Sequence, residues 1–318
     1  MGISIGAILI MSQAIVFPGQ GSQTVGMLQD IAVVYPEVER IFAQASAVLG
    51  YDLWQLVQQG PVEQLDKTIY AQPALLAAGY AVWQVLHKHS TIKPMWLAGH
   101  SLGEYTALVC AQALSFSDAI QLVAARGQYM QEAVPVGEGA LAAIIGLDDQ
   151  AVIALCHQAA LAGEVLAPAN FNSPGQIVIA GHTQAVERAL PLAKERGAKI
   201  AKRLAVSVPS HCSLMQPAAK QLTHKLATIS MQMPVIPVIN NVDVQCYASV
   251  DAIRDGLVRQ LFSPVRWLET IQYLAAAGVH QIIECGPGKV LTGLNKRIVD
   301  GMTCIHTADL SNVQEIVK

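Results

Sequence analysis

Met95-Trp96-Leu97-Ala98 runs straight into Gly99-His100-Ser101-Leu102-Gly103, and a helix-competent stretch, 104–114, follows. A Gly-x-Ser-x-Gly set between a strand and a helix is the pattern of a nucleophile elbow. Its glycines allow a turn sharp enough to hold a serine hydroxyl clear of the sheet. The backbone N–H after the serine, that of Leu102, then points to where an oxyanion would form. The pattern predicts acyl chemistry at Ser101, against the plainer reading of a Gly/Ser turn that merely starts a helix. His100 adjoins the serine, but neighbours at such a turn project in different directions, so a lining or packing role is expected for it.

Outward from the elbow, short apolar segments alternate with amphipathic ones. Ala14-Ile15-Val16-Phe17 reads as a strand that enters the loop Pro18-Gly19-Gln20-Gly21-Ser22-Gln23. Val38, Ile41, Phe42, Ala45, Val48 and Leu49 recur at helical spacing until Gly50. Further helices are expected over 72–88, with Pro73 in the first turn, and over 117–134. Such alternation predicts a mostly parallel α/β sheet. The pattern changes at 135–139. Strand 140–147, helix 149–162, strand 165–171, a turn at 172–175, strand 176–180, helix 183–196 and strand 199–206 then predict β-α-β-β-α-β, the ferredoxin-like arrangement. Strands at 235–239 and 281–285, with helices near 213–228, 249–261, 267–277 and 289–299, complete the larger unit.

The expected fold is thus a larger α/β-hydrolase-like domain, 11–136 and 208–318, interrupted by a ferredoxin-like domain, 137–207. Residues 1–10 read as an N-terminal extension, because Met11-Ser12-Gln13 looks like a natural start. They lack the leading Lys or Arg and the cleavage site of a signal peptide.

Composition narrows the function classes. The chain has 318 residues, enough to bury a large core, and 53% of them are hydrophobic. No uninterrupted apolar run reaches the ~20 residues of a membrane span. A net charge of −3 and the lack of a basic run argue against nucleic acid. The six cysteines are scattered with no Cys-x-x-Cys, which reads as reduced thiols in a cytoplasmic protein. His87 and His89 read as a solvated helix end, with no metal expected.

Two further residues bear on chemistry. A serine nucleophile needs a base, and Val208-Pro209-Ser210-His211 offers one at the second junction. Composition leaves a structural loop histidine open there. Arg126 lies in a helical stripe with Ala119, Leu122, Val123, Met130 and Ala133. An arginine in such a stripe either snorkels to solvent, the reading spacing favours, or pairs within a buried site. In the second case its planar fork suits a bidentate carboxylate.

Six motifs occur in order: Pro18-Gly19-Gln20-Gly21-Ser22-Gln23, Gly99 to Tyr105, Arg126-Gly127 with Met130, Asn170-Phe171-Asn172-Ser173-Pro174-Gly175-Gln176, Val208 to His211, and Gly286-Pro287-Gly288. Together they resemble the malonyl-CoA:acyl-carrier-protein transacylases of bacterial type II fatty-acid synthesis, from about Ser12 to at least Val299. The resemblance implies Ser101 as nucleophile, His211 as general base, Gln20 and the Leu102 N–H at the oxyanion hole, and Arg126 as the malonyl-carboxylate binder. It also implies a histidine oriented by a main-chain carbonyl rather than an Asp. Within the matching segment Arg259-Gln260-Leu261-Phe262-Ser263-Pro264, Gln260 is the candidate. His100, Met130 and Asn172 are expected in the pocket lining.

The implied reaction is a ping-pong transfer from malonyl-CoA through a malonyl-serine to the phosphopantetheine thiol of acyl carrier protein. It requires no metal or bound cofactor, and a monomer is expected. A serine esterase or thioesterase would use the same serine, base and hole. A carrier-protein-binding module with a vestigial site is the alternative from another class. For carrier-protein docking, the basic residues Lys194, Arg196, Lys199, Lys202 and Arg203 form one candidate cluster and Lys289, Lys296 and Arg297 another.

Overall fold

The computed structural model describes residues 12–206 and 208–318; the expected extension at 1–10 lies outside them. In chain order the strands are β1 (Gln13–Phe17), β2 (Trp96–Gly99), β3 (Gly139–Ile145), β4 (Leu166–Ser173) and β5 (Gln176–His182). Next come β6 (Ile200–Arg203), β7 (Val238–Ile239), β8 (Gln281–Glu284) and β9 (Thr303–His306). The first sheet runs β7-β2-β1-β8-β9, with every neighbouring pair parallel. Its central strand, β1, is buried on both faces, as the unbroken apolar run Ala14 to Phe17 requires. Ile15 and Phe17 enter one core with Leu97 and Ile283, while Ala14 and Val16 enter another with Ala98 and Ile282.

The second sheet is antiparallel throughout, in the order β4-β5-β3-β6. Helices Asp149–Ala159 and Thr183–Glu195 pack on it over a separate core that includes Ile144, Val152, Ile177 and Val186. The two sheets are stitched together at β4. Phe171 N donates to Val265 O and Val265 N to Ala169 O, both at 2.9 Å.

Several boundaries depart from expectation. The strand expected at 235–239 shrinks to β7, because Pro234 and Pro237 have no N–H to give a ladder. The strand expected to reach 206 stops at Arg203. The helix expected from 72 begins at Thr68, so Pro73 lies in its interior. β9 and helix Leu310–Val317 were not foreseen, nor were the short helices Gln29–Val34, Leu53–Gln59 and Val62–Leu65. The helix end at His87 and His89 is not purely solvated: His89 Nε2 lies 3.3 Å from Glu37 Oε1. Among the described residues no group of three or more His, Cys, Asp or Glu could hold a metal, all six cysteines are free, and no helix is long and apolar enough to cross a membrane.

The elbow is built where β2 meets helix Leu102–Cys110. His100 N donates to Phe17 O at 3.0 Å, tying the turn to β1. A Cβ on Gly99 would lie 1.9 Å from the carbonyl carbon of Gly103, and one on Gly103 would lie 2.1 Å from Phe17 O. Both contacts are with backbone, which cannot swing aside. Gly103→Ala should therefore lower stability by at least about 3 kcal/mol, the upper end for overpacking. Urea unfolding measures it, and an unchanged midpoint would contradict this close approach.

Candidate active site

Ser101 sits at φ 52° and ψ −107°, a conformation that L-residues reach only when the surroundings hold it. Three contacts hold it. Its N–H donates to Asn241 Oδ1 at 2.7 Å, its carbonyl accepts from Gln260 Nε2 at 3.0 Å, and Asn241 Nδ2 donates to Gly99 O at 2.7 Å. The Leu102 N–H is the first of its helix and has no intrahelical acceptor, and Leu102 is in the cavity lining.

His211 also has positive φ, 64°, and is anchored by its own N–H donating to Leu261 O at 2.9 Å. Its Nε2 lies 2.8 Å from Ser101 Oγ, and its Nδ1 lies 2.8 Å from the main-chain carbonyl of Gln260. An Nδ1–H donated to that carbonyl leaves Nε2 as acceptor for the serine proton. Burial holds the His211 pKa down at about 3, and the positive charge of Arg126 adds to this.

Arg126 does not snorkel: only 1% of it is exposed. The apolar stripe of helix Phe116–Glu132 could not disclose the acceptors that make burial tolerable, because they come from distant segments. Nη1 donates to Gln72 Oε1 at 2.8 Å, and Nη2 donates to Gln260 Oε1 at 3.0 Å and to Ser101 Oγ at 3.3 Å. The guanidinium carbon lies 5.2 Å from the centre of the Tyr105 ring. Arg126 Nε has no hydrogen-bond partner among the described residues.

These groups face a cavity of about 290 Å³ between the two sheets. The Gly19–Ser22 loop, His100, Leu102 and Met130 line it from one side, and Leu141, Asn170, Asn172 and Val178 from the other. His100 Nε2 meets Asn172 Oδ1 at 2.9 Å, which joins the elbow to β4, and its ring packs against Trp267. Gln20 is in the lining, with its side-chain amide donating to Thr68 Oγ1 at 3.2 Å. Sequence reasoning missed Asn241, Gln72 and the role of Glu104. Only Glu104 carried a signal, as an acid next to the elbow on an otherwise apolar helix.

A parallel α/β sheet with a serine–histidine pair at its elbow, a free helix N-terminal N–H and a half-closed cavity defines a class: proteins built for acyl transfer through serine. A family model described as an acyl transferase domain matches residues 14–311, and the chain belongs to that family. It is 60% identical over 290 residues to the malonyl CoA-acyl carrier protein transacylase of Escherichia coli strain K12, covering 91% of this chain and 94% of that one. The solved malonyl CoA-acyl carrier protein transacylase of Coxiella burnetii aligns with a TM-score of 0.95 at 52% identity, over 96% of this chain and 97% of that one. A malonyl-transacylase solved in complex with its type II PKS acyl-carrier protein gives a TM-score of 0.95 at 54% identity, over 96% and 99%.

The depressed His211 pKa has a sign that can be checked. Folding lowers proton affinity, so His211 adds stability above its ordinary value of 6.5 and loses it as pH falls from there toward about 3. Its ring resonances should stay those of neutral imidazole from about pH 8 down to about pH 5, where exposed histidines titrate. An NMR midpoint near 6.5 for His211 would contradict the burial argument.

Proposed function

We propose that this protein transfers the malonyl group of malonyl-CoA to the phosphopantetheine thiol of acyl carrier protein through a malonyl ester on Ser101. One observation carries the reading: a fully buried guanidinium lies 3.3 Å from the serine hydroxyl, with a further N–H unpartnered. A cation so deep beside a nucleophile suits an acyl group that ends in a carboxylate.

The steps follow from the geometry. His211 Nε2 takes the Ser101 proton as Oγ attacks the thioester carbonyl, 2.8 Å being within reach for that transfer. The Leu102 N–H, together with the main chain at Gln20, receives the tetrahedral oxyanion. The C–S bond then breaks, and His211 returns its proton to the departing coenzyme A sulfur. The carrier-protein thiol next gives its proton to His211, its sulfur attacks the ester, and the breaking C–O bond leaves Ser101 to be reprotonated. The Gln260 carbonyl keeps the imidazole in the required tautomer throughout, at 2.8 Å from Nδ1. His100, Met130 and Asn172 shape the acyl pocket, and the chemistry needs no metal or bound cofactor.

The same reading divides the chain into a larger α/β-hydrolase-like domain, 11–136 and 208–318, and an inserted domain, 137–207. The strand order β4-β5-β3-β6 and the β-α-β-β-α-β sequence of the insertion support naming it ferredoxin-like. A monomeric cytoplasmic enzyme is the setting proposed. Both basic clusters adjoin the cavity lining, Lys199, Lys202 and Arg203 through Leu204 and Val206 and Lys289, Lys296 and Arg297 through Val290, Leu291 and Leu294, so either could meet the carrier protein.

Labelled malonyl-CoA, followed onto protein, onto carrier protein and into free malonate, tests the reading. Label that passes to carrier protein supports it, whereas label that appears only in free malonate would indicate an esterase. Ser101→Ala should take up no malonyl group, and His211→Ala should slow acylation by about 10⁴-fold or more. Mass spectrometry after brief mixing checks both, and persistent labelling of Ser101→Ala would refute the nucleophile. Arg126→Ala should cost malonyl-CoA roughly 2–5 kcal/mol in kcat/KM, as for one partner of a buried charge pair. Acetyl-CoA, which has no free carboxylate, should lose far less; equal losses for the two would make Arg126 structural.

A further inference from the structure

Glu104 is 1% exposed, in the first turn of helix Leu102–Cys110, and none of the steps above uses it. A carboxyl buried to that degree costs several kcal/mol unless its oxygens are fully engaged. They are engaged by three donors. Oε1 accepts from the Tyr247 hydroxyl, and Oε2 accepts from Gln260 Nε2 at 2.7 Å and from Asn241 N at 3.1 Å. Tyr247 is itself buried and follows β7, whereas Gln260 ends helix Val250–Gln260. One carboxyl thus ties the helix after the elbow to the turn that follows β7 and to the end of helix Val250–Gln260.

Two of its partners are the residues that set the reacting pair. Gln260 holds His211 through its carbonyl and Ser101 through its amide, and its Oε1 accepts from Arg126. Asn241 holds the Ser101 N–H and the Gly99 carbonyl. We infer that Glu104 is a positioning residue that sets the Ser101–His211 geometry through Gln260 and Asn241, by hydrogen bonding and not by its charge. This rests on the reading of Ser101 as nucleophile.

The chemistry of the three contacts explains why charge is dispensable. Burial pushes the Glu104 pKa up to about 7, against the pull of its hydrogen bonds and of Arg126. Protonated or not, Oε2 can keep accepting from Gln260 and Asn241, because the Tyr247 hydroxyl either donates to Oε1 or accepts from it. A glutamine can do the same, with its carbonyl toward Gln260 and Asn241 and its amide toward the Tyr247 oxygen. Alanine can do neither. It removes one of the two acceptors of the Gln260 amide, loosening its hold on that side chain, and leaves the Asn241 N–H without an acceptor.

The test compares wild type, Glu104→Gln, Glu104→Ala and Tyr247→Phe. Two quantities are measured: the rate constant for sulfonylation of Ser101 by phenylmethylsulfonyl fluoride, and kcat and KM for malonyl-CoA. Glu104→Ala should lower the sulfonylation rate constant and kcat by about 100-fold, as expected when reacting groups are misplaced by about 1 Å. Its KM should change by less than about 3-fold, since uniform binding is untouched. Glu104→Gln should stay within about 5-fold of wild type in both rates, and Tyr247→Phe, which removes one contact and little volume, should slow both by about 5-fold. The stoichiometry of sulfonylation counts folded sites, so partial unfolding lowers that amplitude and leaves the rate constant alone.

An Ala rate constant equal to wild type would overturn the inference. So would Gln rates as low as those of Ala, which would make the charge decisive. Should Glu104→Ala not fold, an unchanged rate in Tyr247→Phe would overturn it in the same way. Sulfonylation does not depend on malonyl transfer, so a wild type that reacts with the sulfonyl fluoride but takes up no malonyl group would refute the proposed function while leaving Glu104 to be judged on its own.

Discussion

The backbone of Gly103 pressed against the carbonyl of Phe17 is the constraint from which the site follows. β1 is the centre of the first sheet, so whatever abuts its C-terminal end is held by the most buried part of the molecule. With no Cβ on Gly99 or Gly103, helix Leu102–Cys110 starts almost on top of the sheet, and the residue between must turn sharply outward. Ser101 takes that turn at φ 52°. The strain of such a conformation costs about 1–3 kcal/mol, which the surrounding structure must offset. Asn241 and Gln260 supply the hydrogen bonds that do so, at 2.7 and 3.0 Å. The same turn brings Ser101 and the first residue of the helix, Leu102, to the cavity wall, so the nucleophile and oxyanion donor proposed above would arise from one piece of backbone geometry.

The cavity is the other half of the arrangement, and it needs both sheets. The first sheet offers the elbow and, through its loops, Gly19 to Ser22, while β3, β4 and β5 close the opposite side. The β4 contacts to Val265 and the His100–Asn172 hydrogen bond fix the two halves at the level of the serine. Apolar walls such as Leu141, Val178 and Met130 would limit water around the ester proposed on Ser101.

How much of this could be read from the chain depends on how local each signal is. The elbow was legible because its glycines, serine and flanking strand and helix lie within a few residues. The parallel sheet and the β-α-β-β-α-β order were legible from alternating apolar segments. The truncation of β7 follows from Pro234 and Pro237, which were in plain view, whereas β9 is a short mixed segment, Thr303–His306, with no strong period. Arg126 was read toward solvent because its stripe says nothing of acceptors 54 and 134 residues away. Asn241 and the role of Glu104 were hidden for the same reason, their contacts spanning 137 to 156 residues. The candidacy of Gln260 as a carbonyl came from resemblance alone; no periodicity singles out one main-chain oxygen.

The lack of a carboxylate on His211 Nδ1 becomes intelligible once the charges are counted together. The imidazole faces a neutral carbonyl on one side and a cavity that already holds the Arg126 guanidinium, and burial with that charge keeps it unprotonated. Forming imidazolium during acylation therefore adds a second positive charge to the same enclosure. Like charges in one enclosure repel, so the guanidinium opposes that protonation. On the assignment proposed for Arg126, a malonyl carboxylate neutralises the guanidinium before the proton moves and removes most of that penalty. On that proposal a substrate carboxylate bears on the proton-transfer step as well as on binding.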